Sequence, residues 1–525
     1  MKSFFKYWPY VLCLLLGLFF ITGNILGLRL EFLPGDFIDG RFNNYILEHG
    51  YSYLSGNLPS FWNAPFLYPE KEVITLSDNL LGTVPIYGIY RLFGVPYDTS
   101  FQLWTITITV LNFISCAVLL QYLFKNHYAS ALGAFVFAFS MALQSQVGHA
   151  QTFPRFAIPL SILVLLIFFT KQRPIYFFIA LLLWVYQMYC GIYLGLMLVI
   201  LIVIMMLVNY ISNSGIYHKL IKNKIWLSQI ISAFVINVLV LLPLMLPYLE
   251  RAKQGGLHNY ESVRDSLVTP LSFFFSWNGS YFWDFLNGTC INYPAYWDHE
   301  IFAGGIATLA IIVLFGRALY LKFFIKNVDK IVNPHYQTLF WAALALFFVF
   351  MRFGNYSLYQ LVFQLPGFGA MRALQRIINV ELVFYSIALA YLLSNFLNFS
   401  SIKNTILFVI LATLLTLDNY VYQENAHHRF KHESHNRVEQ LKLKMHSLPN
   451  WTIVSYEPDS MNSAPMDYQL DAMLASQQLK LFCINGYTGN SPNNYSPYWV
   501  KPNKESRLYW LQDKQVHPLS VIVIK

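Results

Sequence analysis

The amino-acid sequence predicts an all-α polytopic membrane protein, with about eleven transmembrane helices and a small extracytoplasmic α/β domain at its C-terminal end. Composition and hydropathy predict this class. The 525 residues are 56% hydrophobic and only 12% charged, whereas about 25% of the residues in soluble domains are charged. Long hydrophobic runs also recur over the first 420 residues, and about 20 apolar residues suffice to cross a bilayer.

The first element is the hydrophobic run 7–28, which contains no charged residue. It is longer than the apolar region of a signal peptide, which has about 7 to 15 residues, and further hydrophobic runs follow it. We therefore expect it to be retained as a membrane span. The candidate spans are residues 8–28, 101–124, 129–147, 156–170, 174–190, 191–209, 226–249, 300–316, 336–351, 377–397 and 404–420.

The basic residues predict the orientation of these spans. An odd number of spans puts the two termini on opposite sides of the membrane. If the N-terminus is cytoplasmic, every cytoplasmic segment is basic, as such loops are expected to be, whereas the first outer segment, 29–98, is acidic. The net charge of +9 then reflects topology, and we expect membrane lipids but no nucleic acid as partners. The cytoplasmic basic residues are Lys2, Lys6, Lys125, Lys171, Arg173, Lys219, Lys222, Lys224, Arg317, Lys322, Lys326, Lys330 and Lys403, and the only acid among them is Asp329.

Three predicted outer segments are too long to be simple connectors: residues 29–98, 250–299 and 421–525. In the first, NNYILEHGYSYL predicts a short amphipathic helix. The second is rich in aromatic residues and predicts a lid at headgroup depth. In the third, the strand-like runs WTIVSY, LKLFCINGY and LSVIVIK alternate with the helix-like MDYQLDAMLASQQ. Residues 1–420 are therefore predicted to form the transmembrane domain, and residues 421–525 the α/β domain.

Cysteine and histidine patterns leave two alternatives open. Cys290 and Cys483 both lie in predicted outer segments and could pair in an oxidising compartment. No cysteine spacing is typical of a zinc site. Four histidines in the tail form a cluster that could hold a metal, although a solvated helix next to the membrane explains them better. They are His427, His428, His432 and His435.

The stretch GDFIDGRFNNYILEHG, residues 35–50, places two carboxylates shortly after the first span. If Asp36 and Asp39 begin a helix, their spacing puts both on one side of it. A carboxylate near the outer membrane surface is a candidate general base. The alternative is that Asp36 only caps the helix.

Three further stretches carry polar groups on the predicted outer side of the membrane. SQVGHAQTFPRF contains His149 and Arg155, although a histidine in such a turn is often purely structural. LPGFGAMRALQRI contains Arg372 and Arg376, whose spacing predicts one helical face, and a pair of guanidinium groups suits a phosphate. Their alternative is that both arginines extend to the membrane interface. INGYTGNSPNNY, residues 484–495, is typical of a turn.

The architecture and three of these stretches resemble the GT-C superfamily of membrane glycosyltransferases. The most specific segments are GDFIDGR, PGFGAMRALQR and INGYTGNSP, and the last two are similar to bacterial GT-C-like proteins of poorly defined function, including the YfhO type. The resemblance implies a hexosyl- or pentosyltransferase. It would move a sugar from a polyprenyl-phosphate-linked donor to a lipid, glycan or protein acceptor of the cell envelope. It also implies a bacterial cytoplasmic (inner) membrane as the location, with the C-terminal domain extracytoplasmic.

The resemblance also implies roles for individual residues. The general base falls on Asp36 or Asp39, and the donor phosphate on Arg372 and Arg376. The other candidate substrate-binding residues are Arg41, Glu48, His49, His149 and Arg155. The second acidic motif of some GT-C members is missing after span three, which argues against a metal-dependent mechanism. The sequence therefore predicts no cofactor and gives no support for a divalent metal.

Two other functions remain compatible with the sequence. A transporter or flippase of lipid-linked saccharides would use the same arginines and aromatic residues. However, such proteins usually carry charges near the bilayer midplane and are often built from internal repeats; most spans here have uncharged centres, and no repeat is evident. The third alternative is a non-catalytic protein of envelope assembly with the tail as its binding module.

Overall fold

The computed structural model describes residues 6–255, 258–324, 334–397, 401–459, 464–512 and 514–525. Of the predicted cytoplasmic charges, Lys2, Lys326, Asp329 and Lys330 lie outside the described residues. The described part is mostly helical. Its α-helices are α1 (Trp8–Leu16), α2 (Gly23–Leu26), α3 (Asp39–Leu54), α4 (Val84–Leu92), α5 (Tyr97–Phe124), α6 (His127–Phe139), α7 (Ala157–Lys171), α8 (Pro174–Cys190), α9 (Ile192–Ser212), α10 (Ser214–Lys222), α11 (Lys224–Lys253), α12 (Tyr260–Arg264), α13 (Gly305–Phe324), α14 (Pro334–Phe350), α15 (Tyr359–Phe363), α16 (Ile378–Ser394), α17 (Ile402–Asp418), α18 (Lys431–Met445), α19 (Pro465–Gln478), α20 (Ser496–Val500) and α21 (Lys504–Leu511).

Hydrophobic helices account for all the predicted spans. Within the described residues, seven helices are long and apolar enough to cross a membrane: Trp8–Leu26, Tyr97–Phe124, His127–Gln146, Ala150–Lys171, Ile192–Ser212, Lys224–Lys253 and Leu374–Ser394. Shorter apolar helices cover Pro174–Cys190, Gly305–Tyr320 and His335–Phe350, and α17 covers the last predicted span. The mostly helical structure, with helices of membrane-spanning length and composition, is consistent with a helical membrane protein, whereas eleven crossings and their orientation stay predictions.

The first outer segment folds against the tail. The predicted amphipathic helix is α3, which begins earlier than expected, at Asp39. Strand β1 (Phe32–Pro34) pairs antiparallel with β4 (His428–Phe430), and a short hairpin elsewhere joins β2 (Arg352–Phe353) to β3 (Tyr356–Ser357). The β1–β4 pairing fixes the start of the first segment to the start of the tail.

The tail contains a small parallel sheet, as its strand-like runs predict. Strand β5 (Ile453–Tyr456) lies between β6 (Phe482–Cys483) and β7 (Val521–Ile524). Its hydrophobic core is shared with the first outer segment, since buried Phe42 and Ile46 of α3 belong to the same cluster as Leu470 and Met473 of α19. The boundary at residue 420 stays a prediction, because the two parts pack as one core.

The second outer segment consists mainly of turns in its described part. Several of its aromatic side chains are exposed, including Phe285 and Trp297, whose exposed fractions are 75% and 61%. Their depth in a membrane stays a prediction. Cys290 and Cys483 are both buried and both free, so the structure contains no disulfide between them.

Candidate functional site

A small cavity of about 170 Å³ lies where the first outer segment, the span helices and the tail meet. Four predicted site residues line it: Asp39, His149, Arg372 and Arg376. The predicted meeting of an early carboxylate with two later arginines is therefore observed. Its other lining comes from α9, α11, the turn at 75–78, residues 367–371 and the tail loop 487–490.

Asp39 reaches the small cavity because of a close approach between two loops. Gly35 has a φ of +82°, and a Cβ there would lie 2.4 Å from the Cα of Gly148. Glycine therefore allows the chain before α3 to touch the loop that carries His149. Asp36 accepts backbone hydrogen bonds from Ile38 and Asp39, both at 3.0 Å, and it does not line the small cavity. Asp36 thus fits the capping alternative, and Asp39 is the carboxylate that faces the cavity.

Three groups hold Asp39. His149 Nδ1 lies 2.8 Å from Oδ2, and the Tyr487 hydroxyl donates to Oδ1 at 2.5 Å. Burial by itself would raise the pKa of Asp39, but the hydrogen bonds from His149 and Tyr487 and the charge of Arg376 lower it below its usual value. Asp39 is consequently ionised at neutral pH.

The two arginines face the small cavity without a carboxylate partner. Arg376 is buried, with 8% of its surface exposed; its guanidinium lies 4.8 Å from the centre of the Tyr193 ring, and its Nε has no hydrogen-bond partner. Among the described residues, no carboxylate lies within ion-pair distance of Arg372 or Arg376. A buried guanidinium needs a compensating group, and a phosphate oxygen at the cavity would supply one.

The prediction that Arg372 and Arg376 lie on one face of a helix is wrong. Arg376 belongs to the 3-10 turn Leu374–Ile377, and Arg372 precedes that turn next to extended Met371. Regular α-helix begins only with α16, at Ile378, and upstream Gly367 takes a left-handed conformation that glycine adopts readily. Both side chains still line the small cavity, since the irregular segment wraps around it.

Asp78 is a lining residue that sequence reasoning missed. Its carboxylate accepts backbone hydrogen bonds from Asn79 at 2.9 Å and Ile192 at 3.0 Å, and so caps the N-terminus of α9. Burial raises the pKa of Asp78, while these hydrogen bonds and the charge of Arg376 oppose the shift. A polar residue before an apolar run, as Asp78 is, can indicate a helix cap. Asp78, however, caps a helix that begins more than a hundred residues later in the chain, so the sequence pattern did not point to α9. Helix α9 begins directly after Gly191. Glycine is required at this position because a Cβ there would lie 2.6 Å from the Gln151 carbonyl oxygen.

Tyrosines form a second group that was missed. Tyr193, Tyr248 and Tyr487 all line the small cavity, and Tyr487 comes from the loop whose sequence is typical of a turn. The Gly486 N–H donates to Gln469 Oε1 at 3.1 Å, which holds this loop against α19. This loop therefore contributes Tyr487 to the small cavity in addition to forming a turn.

The structure does not bring four predicted substrate-binding residues to the cavity, because each has other partners. Arg41 forms a buried ion pair with Asp471 of α19, and Glu48 lies 2.8 Å from Arg91 Nε. The remaining two contact backbone carbonyls. His49 Nε2 lies 2.7 Å from the Phe61 oxygen, and Arg155 Nη2 donates to the Phe137 oxygen at 3.1 Å.

A large cavity of about 640 Å³ adjoins the small one and shares Thr75, Leu76, Tyr248, His258 and Asn490 with it. One wall is apolar and comes from α9 and α11, with Leu196, Met245 and Leu249. The opposite wall is polar and comes mainly from the tail. The two cavities together thus join the ends of two span helices to the Asp39 carboxylate.

Metal-ligating side chains do not cluster in the described part of the chain: no group of three or more His, Cys, Asp or Glu is placed to hold an ion there. The four tail histidines, which are all described, form no such group either. No protein-family model and no curated protein matches the sequence.

Proposed function

We propose that the protein is an integral membrane glycosyltransferase. It transfers a hexose or pentose from a polyprenyl-phosphate-linked donor to a cell-envelope acceptor on the outer side of the membrane. The observation that carries this proposal is the small cavity, in which ionised Asp39 faces two arginines that lack a carboxylate partner. A base and an anion site in one cavity are the two requirements of transfer from a lipid phosphate.

In the proposed step, the acceptor hydroxyl oxygen attacks the anomeric carbon of the sugar. The bond between that carbon and the phosphate oxygen breaks, and polyprenyl phosphate leaves with the electron pair. The hydroxyl proton passes to Asp39 as the new glycosidic bond forms. Attack opposite the leaving phosphate inverts the anomeric configuration, much as an inverting glycosidase activates water.

The protein side chains divide these roles. Arg372 and Arg376 balance the charge that develops on the departing phosphate. His149 orients the Asp39 carboxylate and shares the accepted proton, and Tyr487 holds the other carboxylate oxygen. Asp36 is not part of the proposed step, because it does not line the small cavity and its Oδ1 accepts two backbone hydrogen bonds at the start of α3.

The apolar wall of the large cavity suits the lipid part of the donor. Leu196 of α9 and the pair Met245 and Leu249 of α11 belong to helices long enough to cross a membrane. An isoprenoid chain that lies along this wall would keep its phosphate near the arginines. The basic segments on the opposite side support a cytoplasmic N-terminus and a site at the outer face of a bacterial inner membrane.

Donor cleavage by the purified full-length protein tests the proposal. Undecaprenyl phosphate carrying a radiolabelled hexose or pentose would be supplied in detergent, and release of undecaprenyl phosphate would be measured with and without an envelope extract as acceptor. We expect cleavage that accelerates with the extract. A flippase would move the donor across proteoliposomes without cleaving it, so transport without release would contradict the proposal.

A further inference from the structure

The polar wall of the large cavity presents side-chain amides that make no hydrogen bond within the described part of the chain. Asn490, Asn493 and Gln512 line this wall and are exposed. Their side-chain amides make no hydrogen bond to another described residue, although the Asn490 backbone N–H donates to the Leu76 oxygen at 3.1 Å. The backbone is therefore held while the amides remain available to a ligand.

The charged groups of the same wall are engaged with one another. Glu70 accepts from Arg251 Nη1 at 3.2 Å and from Lys514 Nζ at 2.9 Å. Arg251 also donates to Thr75 Oγ1 at 3.1 Å and to the Lys71 oxygen at 2.6 Å. Lys514 Nζ also lies 3.6 Å from the centre of the Trp510 ring. These contacts occupy both cations and leave the amides as the main free hydrogen-bonding groups.

Asn490 and Asn493 of the polar wall belong to the same loop as Tyr487, which contacts the proposed base Asp39. Tyr487 of this loop contacts Asp39, and three residues later Asn490 lines both cavities. A molecule bound along the amides can therefore place one end beside Asp39. The volume of the large cavity lies within the range of about 300–1,000 Å³ that is typical of ligand sites.

We propose that the amide wall binds the acceptor, and that the acceptor is an uncharged saccharide. A side-chain amide donates and accepts at the same time, which matches the adjacent hydroxyl groups of a sugar ring. An anionic acceptor would need a free cation on this wall, but Arg251 and Lys514 both contact Glu70 there. The unpaired Arg372 and Arg376 line the small cavity instead, where the donor phosphate is proposed to bind. The inference rests on the proposed transferase function and adds the chemical class of the acceptor.

Saccharide binding by the full-length protein in detergent tests this inference. Cellotriose, maltotriose and triacetylchitotriose would be compared with trigalacturonic acid by saturation-transfer NMR and titration. We expect at least one neutral trisaccharide to bind, and trigalacturonic acid to bind more weakly. The double variant N493A/Q512A should weaken neutral binding about tenfold, because two hydrogen bonds are lost. The matched control N57A removes an exposed side-chain amide from the turn that follows α3. This variant should bind the neutral trisaccharides as tightly as the wild type does.

Two results would overturn the inference: tighter binding of trigalacturonic acid than of every neutral sugar, or unchanged neutral binding in N493A/Q512A. Absence of binding by all the neutral trisaccharides would overturn it as well. Donor cleavage by water in the wild-type protein distinguishes the two proposals. If cleavage is present but saccharide binding fails, only the acceptor assignment is wrong; if saccharides bind but no donor is cleaved, the transferase proposal is wrong.

Discussion

Replacement of Asp39 by asparagine tests the proposed base most directly. Asparagine keeps the shape of the side chain and one oxygen for the Tyr487 hydroxyl, but it removes the charge and the proton acceptor that faces His149. Loss of a general base typically lowers a rate by about 10²- to 10⁴-fold. At about 1.36 kcal/mol per tenfold change, this corresponds to about 2.7–5.4 kcal/mol of barrier.

The variant D36N is the matched control for this experiment. Asp36 accepts two backbone hydrogen bonds at the start of α3, and asparagine caps helices about as well as aspartate does. We expect D36N to cleave the donor within about threefold of the wild-type rate, since a cap change costs a few tenths of a kcal/mol at most in this case. Cleavage would be followed as release of undecaprenyl phosphate, with folding checked by the thermal unfolding temperature.

The pH dependence of cleavage tests whether the ionised form of Asp39 is the one that acts. Because its contacts lower the pKa of Asp39, its ionised form persists as the pH falls, and activity should decline only below about pH 4. The same sign applies to stability: the carboxylate contributes above its unfolded pKa of about 3.9 and loses its contribution as the pH falls through the lower folded value. A decline that already begins well above pH 4, or a D39N rate close to that of the wild type, would refute the role of Asp39.

Three further predictions concern the surrounding structure. R376M should weaken binding of undecaprenyl phosphate about tenfold or more in a titration, while R376K should retain part of it; equal affinity in all three proteins would contradict the phosphate site. D78A should lower the unfolding free energy by about 1 kcal/mol because the α9 cap is lost, whereas D78N should stay near the wild type. R41M should destabilise the protein by about 1.5–3 kcal/mol and expose the tail to protease, because Asp471 loses one of its two arginine partners and keeps only Arg437. Combining it with D471L should restore part of the stability, and a purely additive double variant would contradict this coupling.

The sequence by itself determined the membrane class and the approximate positions of the helices and tail strands. Hydropathy and side-chain periodicity are local properties, so each run could be assigned without knowledge of its neighbours. The meeting of Asp36 or Asp39 with Arg372 and Arg376 was predicted from a family resemblance and from a shared side of the membrane. Charge patterns supply a side but no distance, which is why the cavity itself required the structure.

Only the tertiary structure decided which of the two early carboxylates faces the cavity. Asp36 and Asp39 are chemically alike, yet the contact of Gly35 with Gly148 turns one toward the backbone and the other toward His149. Arg41 is bound by an acid 430 residues later in the chain. Asp78, Tyr193 and Tyr487 were missed for the same physical reason. The partner of a polar side chain depends on which distant segments pack beside it, and no local pattern records that choice.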